Sequence, residues 1–476
     1  MAGNSAAMEL SKEMFYSNLN GTTKSEVSLM LTVSPSSVLL RSSVHLVLVA
    51  FSIHEGLLIQ FLLDFLILTL PLCLSATLLS DSALQIVLTE IVLSVSLILL
   101  ACQSKCFKRK TVSVQSILET PMCGRLPFIT NFRVLFNVGV AVGILAVDFV
   151  VFPRRFAKTE TFGTGIMDGG VGAYVLMNAI VSPEARGKYD RSGLKSVMKS
   201  VKSSVPLLIL GFGRLASLKG IDYHENVSEY GVHWNFFFTL AATKVLCTLL
   251  LAVLPPTWSG LISLSLALLY QHLLTGCGLQ EVVLHGTDLK DSRAGFFNAN
   301  REGLASCLGY VAIYFAGVKL GQYLMQPRSC VKNWLKAFLI LILADALVWL
   351  VLLWVEEHVS ATSRRLANMP YIIWNIASGI YALCCFLLID IIFKVINHHI
   401  HQDNKKEGTS LLVSAVGRNQ LLYFLLANLM TGLVNISIDT IRQPNLVAFF
   451  IICVYMLSLN VIMVFLHVKN VNTKFW

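Results

Sequence analysis

Long apolar stretches alternate with short polar ones along almost the whole chain. About 13 of these stretches approach the roughly 20 residues that a helix needs to cross the hydrocarbon core of a bilayer. The pattern predicts an all-α, polytopic integral membrane protein. Its predicted spans are Leu29–Ile53, Leu57–Leu79, Leu84–Ala101, Phe128–Phe152, Ile166–Ile180, Val205–Leu218, Val232–Leu254, Gly260–Thr275, Leu304–Leu320, Leu335–Val355, Tyr371–Ile396, Leu421–Asn435 and Leu446–Val468.

The composition agrees with this reading. Hydrophobic residues make up 55% of the chain and charged residues only 13%, whereas a soluble domain carries about 25% charged residues. The composition therefore excludes a water-soluble globular protein. The net charge of +10 fits basic loops that set topology and meet anionic lipid headgroups, so it does not indicate nucleic-acid binding.

Three Asn-X-Ser/Thr sequences and two basic loops give the predicted topology its direction. With about 13 spans and a lumenal amino terminus, Asn20, Asn226 and Asn435 all fall on the lumenal side. The basic loops Lys105–Lys110 and Arg186–Lys202 then both fall in the cytosol, as the positive-inside rule expects. We expect glycans at Asn20 and Asn226.

This topology defines three parts of the chain. A lumenal tail (residues 1–28) precedes a single multi-helix transmembrane domain (residues 29–468), and a cytosolic tail follows (residues 469–476). Metal binding is not expected. Cys102 and Cys106 have no ligand pair nearby, and His398, His399 and His401 have no carboxylate or cysteine at ligand spacing.

The densest charge in the apolar part of the chain follows the fourth span. Asp148 ends a long apolar run, and Pro153 is expected to stop the helix because it lacks an amide donor. Two arginines, Lys158 and Glu160 come next. Charged groups at a membrane boundary are costly and are usually functional, so this stretch is the candidate site.

Asp148 and Lys158 are ten residues apart, with a turn between them. A carboxylate beside an apolar wall suits a general base, and an ammonium can stabilise a developing oxyanion. The same two residues fit an interfacial ion pair that anchors the helix end. Arg154 and Arg155 suit a phosphate but also fit ordinary interfacial anchoring.

Two further places carry candidate groups. Asp168 stands before a glycine-rich helix start, where a carboxylate complements the helix dipole. The loop from residue 276 to 303 is the longest polar lumenal insertion after the amino-terminal tail. It enters a helix through residues that fit either a cap or the lining of a cavity, namely Asn298, Asn300, Arg301 and Glu302.

The chain resembles the glycosylphosphatidylinositol inositol acyltransferases. The resemblance is most specific at Phe152–Glu160, Phe162–Thr164 and Met167–Gly172. It extends over nearly the whole chain, through Asn18–Thr23, Asn298–Gly303, Leu308–Ile313 and Arg418–Leu422.

The resemblance implies a multi-pass enzyme of the endoplasmic reticulum membrane. Such enzymes transfer a fatty acyl group, typically palmitoyl, from acyl-CoA to the 2-hydroxyl of inositol in glucosaminyl-phosphatidylinositol, with no bound cofactor. The family's catalytic aspartate and lysine correspond to Asp148 and Lys158. We predict that substrate contacts come from Arg154, Arg155, Glu160, Asp168, Asn298, Asn300, Arg301 and Glu302.

Two other classes of protein remain as alternatives. A secondary transporter or lipid flippase would use Asp148 and Lys158 as a gating pair. A membrane O-acyltransferase of the His/Asn type is disfavoured, because His45 and His272 lack an upstream loop asparagine in the required context.

Overall fold

The computed structural model describes residue 17 and residues 19–103, 113–124, 127–189, 193–219, 229–399 and 410–473. Within these residues the protein is helical, and its only β-type pairing is an isolated bridge between Pro121 and Cys330. In chain order the α-helices are α1 (Lys24–Ala50), α2 (Leu57–Asp64), α3 (Leu70–Ser75), α4 (Ala83–Gln103), α5 (Val114–Leu118), α6 (Pro127–Ala146), α7 (Gly169–Ile180), α8 (Leu194–Lys219), α9 (Phe236–Val253), α10 (Ser259–Thr275), α11 (Leu279–His285), α12 (Gly295–Ala299), α13 (Arg301–Leu324), α14 (Val331–His358), α15 (Met369–His399), α16 (Leu411–Arg418), α17 (Gln420–Ser437) and α18 (Asn445–Val468).

The chain divides into two compact units. The first unit comprises residues 1–23, 157–326 and 345–379, and the second comprises residues 24–156, 327–344 and 380–476. The boundary between residues 156 and 157 falls inside the charged stretch that the sequence singles out. Asp148 therefore belongs to the second unit and Lys158 to the first.

In the first unit, α13 packs closely against α7. A Cβ atom at Gly321 would lie 2.3 Å from the carbonyl oxygen of Ile180, and one at Gly317 would lie 2.7 Å from the Cβ of Ala179. Small residues let helix backbones approach in this way without the hydrophobic drive that water provides. Gly172 on α7 is equally constrained, since its Cβ would meet Asn375. Close helix packing therefore explains part of the glycine content of the sequence.

In the second unit, α1 packs along α4 and polar groups link them. Ser36 and Ser37 on α1 donate hydrogen bonds to the carboxylate of Glu90, at 2.5 and 2.9 Å. Farther along α1, Arg41 donates to Asp64 at 2.7 Å, and Asp64 accepts the amide of Leu412 at the start of α16. These buried polar groups thus have hydrogen-bonding partners, as apolar surroundings require.

Ten helical segments in the described residues are long and apolar enough to cross a membrane, and one of them, Leu57–Ser75, joins α2 to α3 through a π-helical turn at Phe65–Thr69. An eleventh crossing results if the bent pair at residues 256–285 counts as one span. The protein is accordingly a multi-pass membrane protein. The predicted fifth span is only the 12-residue α7, and the sixth lies within α8, which does not meet the same test. The count of about 13 spans and the orientation of the termini stay predictions.

Candidate active site

Asp148 lies in a turn and not at the end of a helix. Helix α6 ends at Ala146, well before Pro153, and the amide of Asp148 bonds to the carbonyl of Leu145. The Asp148 side chain is 4% exposed, and its Oδ2 accepts a hydrogen bond from Nδ2 of Asn435 at 2.8 Å. A buried carboxylate with an amide partner fits a general base better than an exposed anchor.

Arg154 explains why the helix ends early. Its guanidinium donates to the carbonyls of Val147, Phe149 and Phe152, at 2.7, 3.2 and 3.1 Å. The carbonyls of Val147 and Phe152 thus bond to a side chain, and the carbonyl of Phe149 also accepts the amide of Phe152 in a turn, so the α-helical pattern does not continue. Arg154 closes the loop around Asp148, so its main observed contacts are with the protein backbone.

Arg155 turns away from this loop toward two acidic residues of the same unit. It contacts Glu26 at 3.0 Å and Asp81 at 2.5 Å, and its guanidinium lies 4.7 Å from the centre of the Phe156 ring. Its side chain remains 35% exposed. Arg155 thus keeps a partly accessible positive charge within the motif.

Lys158 pairs with a carboxylate that the sequence reading did not select. Its Nζ lies 2.6 Å from Oε1 of Glu229, with side-chain exposures of 37% for Lys158 and 18% for Glu229. Burial by itself would raise the pKa of the Glu229 carboxyl, but Lys158 and Arg364 outweigh it and lower that pKa from about 4.5 to about 2. Glu229 is therefore a stable negative charge beside Lys158.

Asp168 and Arg364 fix the backbone on the other side of Lys158. The fully buried carboxylate of Asp168 accepts the amides of Thr159 and Gly165, and it lies 2.8 Å from Nε of Arg364. Arg364 also donates to the carbonyl of Thr159 at 3.3 Å. Asp168 makes no side-chain cap on α7. Its carboxylate turns back to hold the loop that follows Lys158.

The segment that carries Glu229 docks on the start of α13. The carbonyl of Tyr230 accepts the amide of Gly303, and the amide of His233 donates to Oδ1 of Asn300 at 2.9 Å. Gly231 has φ +115°, and a Cβ there would lie 2.5 Å from the carbonyl oxygen of Ala299. Only glycine suits this conformation and this close approach. Asn300 thus supports the segment that carries Glu229.

Arg301 and Glu302 belong to a separate, closed ion network. Arg301 is fully buried and donates to the carbonyls of Val283, Leu284 and Ser292 and to the carboxylate of Asp291. The buried Glu302 accepts both terminal nitrogens of Arg293, at 2.8 and 2.9 Å, and also pairs with Arg365 at 2.8 Å. These two residues of the predicted set make contacts within the protein.

Other predicted residues lie in looser surroundings. Glu160 is exposed, and its backbone amide bonds to the carbonyl of Leu19. Asn298 bonds to Thr287. Asn20 is exposed, whereas Asn226 lies outside the described residues, as do Cys106 and His401. The substrate contacts of Glu160 and Asn298 and both glycans stay predictions.

Sequence reasoning missed Glu229 and Arg364. Glu229 lies 71 residues from Lys158, and Arg364 lies 196 residues from Asp168. Glu229 falls between two predicted apolar spans and belongs to no recognisable motif. The only signal in the sequence was a lone glutamate before Tyr230 and Gly231. Its role becomes visible only when the structure places this segment against the start of α13.

An apolar cleft of about 450 Å³ lies between α8 and α9 in the first unit. Its wall includes Leu208 and Phe212 from α8 and Phe238 and Val245 from α9. His233, on the segment that docks against α13, also lines it. The cleft therefore has a hydrocarbon lining and shares one segment with the Lys158–Glu229 pair.

Comparison with known proteins identifies the family. The GWT1 family model matches residues 8–466. The glucosaminyl-phosphatidylinositol-acyltransferases PIGW of Bos taurus and Homo sapiens are each 38% identical to this chain, over 98% of it and 99% of their own length. GPI-anchored wall transfer protein 1 of Gibberella zeae is 36% identical over the same shares of the two chains. The chain therefore belongs to the GWT1 family.

Proposed function

We propose that this protein is a glucosaminyl-phosphatidylinositol acyltransferase of GPI-anchor biosynthesis. The observation that carries the proposal is the near full-length similarity to relatives that bear this name. The multi-pass helical fold supports it, because an enzyme that joins two lipid substrates must work at the membrane. The acyl donor, the acyl chain and the acceptor hydroxyl are the finer parts of the proposal.

We assign the reaction to acyl-CoA, preferably palmitoyl-CoA, and to the inositol 2-hydroxyl. Asp148 takes the hydroxyl proton as the oxygen attacks the thioester carbonyl carbon. Lys158 stabilises the oxyanion that forms on the carbonyl oxygen. The C–S bond then breaks, the acyl ester remains on inositol, and the released thiolate recovers the proton from Asp148. The burial of Asp148 and the partial exposure of Lys158 support these roles.

The α8–α9 cleft is the site that we propose for the donor's acyl chain. Pockets for apolar ligands commonly measure about 300–1,000 Å³ and have mainly hydrophobic and aromatic walls, and this cleft has both properties. Its segment from Tyr230 to His233 leads directly to Glu229 and hence to Lys158. A chain in the cleft would therefore end near the group that polarises its thioester.

Among the predicted phosphate contacts, Arg155 is the strongest candidate because its guanidinium is partly exposed. Arg154 and Asp168 position the loops that carry Asp148 and Lys158, while Arg301 and Glu302 hold the loop before α13. We place the enzyme in the endoplasmic reticulum membrane with about 13 crossings and a lumenal amino terminus. Glycosylation mapping at Asn20, Asn226 and Asn435 tests that topology.

The experiment that tests the function uses membranes that contain the wild-type chain or Asp148→Asn. These membranes receive labelled palmitoyl-CoA and glucosaminyl-phosphatidylinositol. We expect acylation of inositol by the wild type and a loss of about 10²–10⁴-fold in the variant, as for removal of a general base. Asparagine keeps the shape and an acceptor for Asn435, so the fold should persist.

Two results would contradict this assignment. Movement of glucosaminyl-phosphatidylinositol across the membrane without acylation would indicate the transporter or flippase. Near-normal acylation by Asp148→Asn at equal expression would remove the general-base role and leave the enzyme class intact. The matched control is Asp439→Asn, which changes a carboxylate that is 40% exposed and pairs only locally with Arg442.

A further inference from the structure

The ion pair between Lys158 and Glu229 has a consequence for the reaction. We infer that Glu229 is the positioning residue of Lys158: it holds the ammonium in one place during acyl transfer. This inference rests on the proposed function. It adds a residue that lies far from the motif in the sequence and that acts through Lys158, without touching the substrate.

The lysine side chain needs a partner to hold its charge in one place. A lysine has a long flexible stem and a compact charge, so an ammonium that must stabilise an oxyanion needs an anchor. Glu229 supplies it at 2.6 Å. The exposed 37% of the Lys158 side chain leaves part of it open to a ligand. The pair therefore restrains the ammonium without enclosing it.

The surrounding protein holds both partners of the ion pair in place. On the lysine side, Asp168 and Arg364 bind the amide and the carbonyl of Thr159, the residue next to Lys158. On the glutamate side, Gly303 and Asn300 hold Tyr230 and His233. Two separate sets of hydrogen bonds thus converge on one ion pair, which a chance surface contact does not require.

The charges around the pair favour the same arrangement. Glu229 faces three cationic groups, Lys158, Arg364 and Arg214. Without the glutamate, Lys158 would share its surroundings with two arginines, which would repel its ammonium from this position. The other ionisable groups that interact with this cluster are Asp168, Tyr230, Tyr310 and Tyr371. Of these, Asp168 already pairs with Arg364, so Glu229 is the carboxylate that pairs with Lys158.

The test compares Glu229→Gln, Glu229→Asp and Lys158→Ala in the full-length protein in membranes. The assay measures kcat and KM for acyl transfer from palmitoyl-CoA to glucosaminyl-phosphatidylinositol. Glu357→Gln serves as the matched control, because it removes an exposed carboxylate from the end of α14. Thermal stability in detergent establishes that each variant is folded.

We expect Glu229→Gln to lower kcat and kcat/KM equally, about 10–100-fold, with the KM for palmitoyl-CoA unchanged, because an ammonium held for the oxyanion acts only in the transition state. Glu229→Asp keeps the charge and should restore part of kcat. A purely structural glutamate would lower thermal stability together with activity. The control Glu357→Gln should match the wild type in kcat and in KM.

The outcomes separate this inference from the proposed function. If Lys158→Ala abolishes acylation while Glu229→Gln has wild-type kcat, the positioning role is wrong and the acyltransferase assignment stands. A higher KM at unchanged kcat in Glu229→Gln, or a loss of activity that follows a loss of thermal stability, overturns it equally. If the wild type acylates no glucosaminyl-phosphatidylinositol, the proposed function itself fails.

Discussion

Two ion networks in the first unit differ in how completely they close. Around Lys158, the groups alternate in charge from Asp168 to Arg364 to Glu229, and the last member, Lys158, is 37% exposed. Around Arg301, the guanidinium is fully buried and all three of its nitrogens bind acceptors of the protein. The first network leaves a cation accessible, whereas the second encloses its central cation, and its most exposed member is the carboxylate of Asp291.

The difference shows how to read charge in a membrane protein. Intramembrane and boundary charges are often functional, yet both networks meet that description. The two networks differ in whether a hydrogen-bond donor remains accessible once the internal hydrogen bonds have formed. A closed network mainly stabilises the fold, because breaking it leaves an uncompensated buried charge. An open network can offer its last charge to a ligand.

The largest expected effect comes from the closed network. Arg301→Ala would leave Glu302 paired with Arg293 and Arg365, but it would remove the donor to four backbone carbonyls. We expect a loss of about 3–5 kcal/mol of stability, because each buried acceptor left unpaired costs about 1–3 kcal/mol, seen as poor accumulation or a much lower unfolding temperature. Arg442→Ala is the control, because Arg442 is 69% exposed. A stable Arg301→Ala protein that only binds phosphoinositide weakly would make Arg301 a ligand contact and would remove the contrast.

The open network should respond in the opposite way. We expect Lys158→Ala to lower acyl transfer about 10²–10³-fold, as for loss of one oxyanion donor. The unfolding temperature should change little, since a partly exposed ion pair contributes about 0–1 kcal/mol and Glu229 keeps Arg364. Lys332→Ala, which changes an exposed lysine, is the control. Retained activity with weaker use of acyl-CoA would make Lys158 a donor-binding group.

The sequence predicted the class of fold better than it predicted the spans. Ten of the predicted spans correspond to helices that are long and apolar enough to cross a membrane. The other three predicted spans differ in distinct ways. Helix α7 is only 12 residues long, α8 carries Lys195, Lys199 and Lys202 in its first turns, and α10 forms a pair with α11 that is bent by 69°. Apolar runs alone do not separate such helices from ordinary spans.

The site was predicted only where chemistry is local in the sequence. The motif indicated Asp148 and Lys158, because the two residues flank one turn. It could not reveal Glu229 or Arg364, which reach the cluster only through the docking of α13 and the loop before α15. The predicted helix end at Pro153 was wrong by more than one turn. The helix ends at Ala146, and the guanidinium of Arg154 donates to the carbonyl of Val147 that follows it.

The smallest expected effect is a difference in acid stability. The pKa of Glu229 is about 2 in the folded protein, against an ordinary value near 4.5. Its contribution to stability is therefore complete above about pH 4.5, and it is lost as the pH falls toward 2. We expect the unfolding temperature of the wild type to fall more steeply across this window than that of Glu229→Gln. Glu55 and Asp291, whose pKa values are also lowered by arginine partners, titrate in both proteins, so the difference in slope isolates Glu229. Parallel slopes would mean that Lys158 and Glu229 do not form their ion pair in the membrane protein, and the open network would then lose the member that anchors its accessible charge.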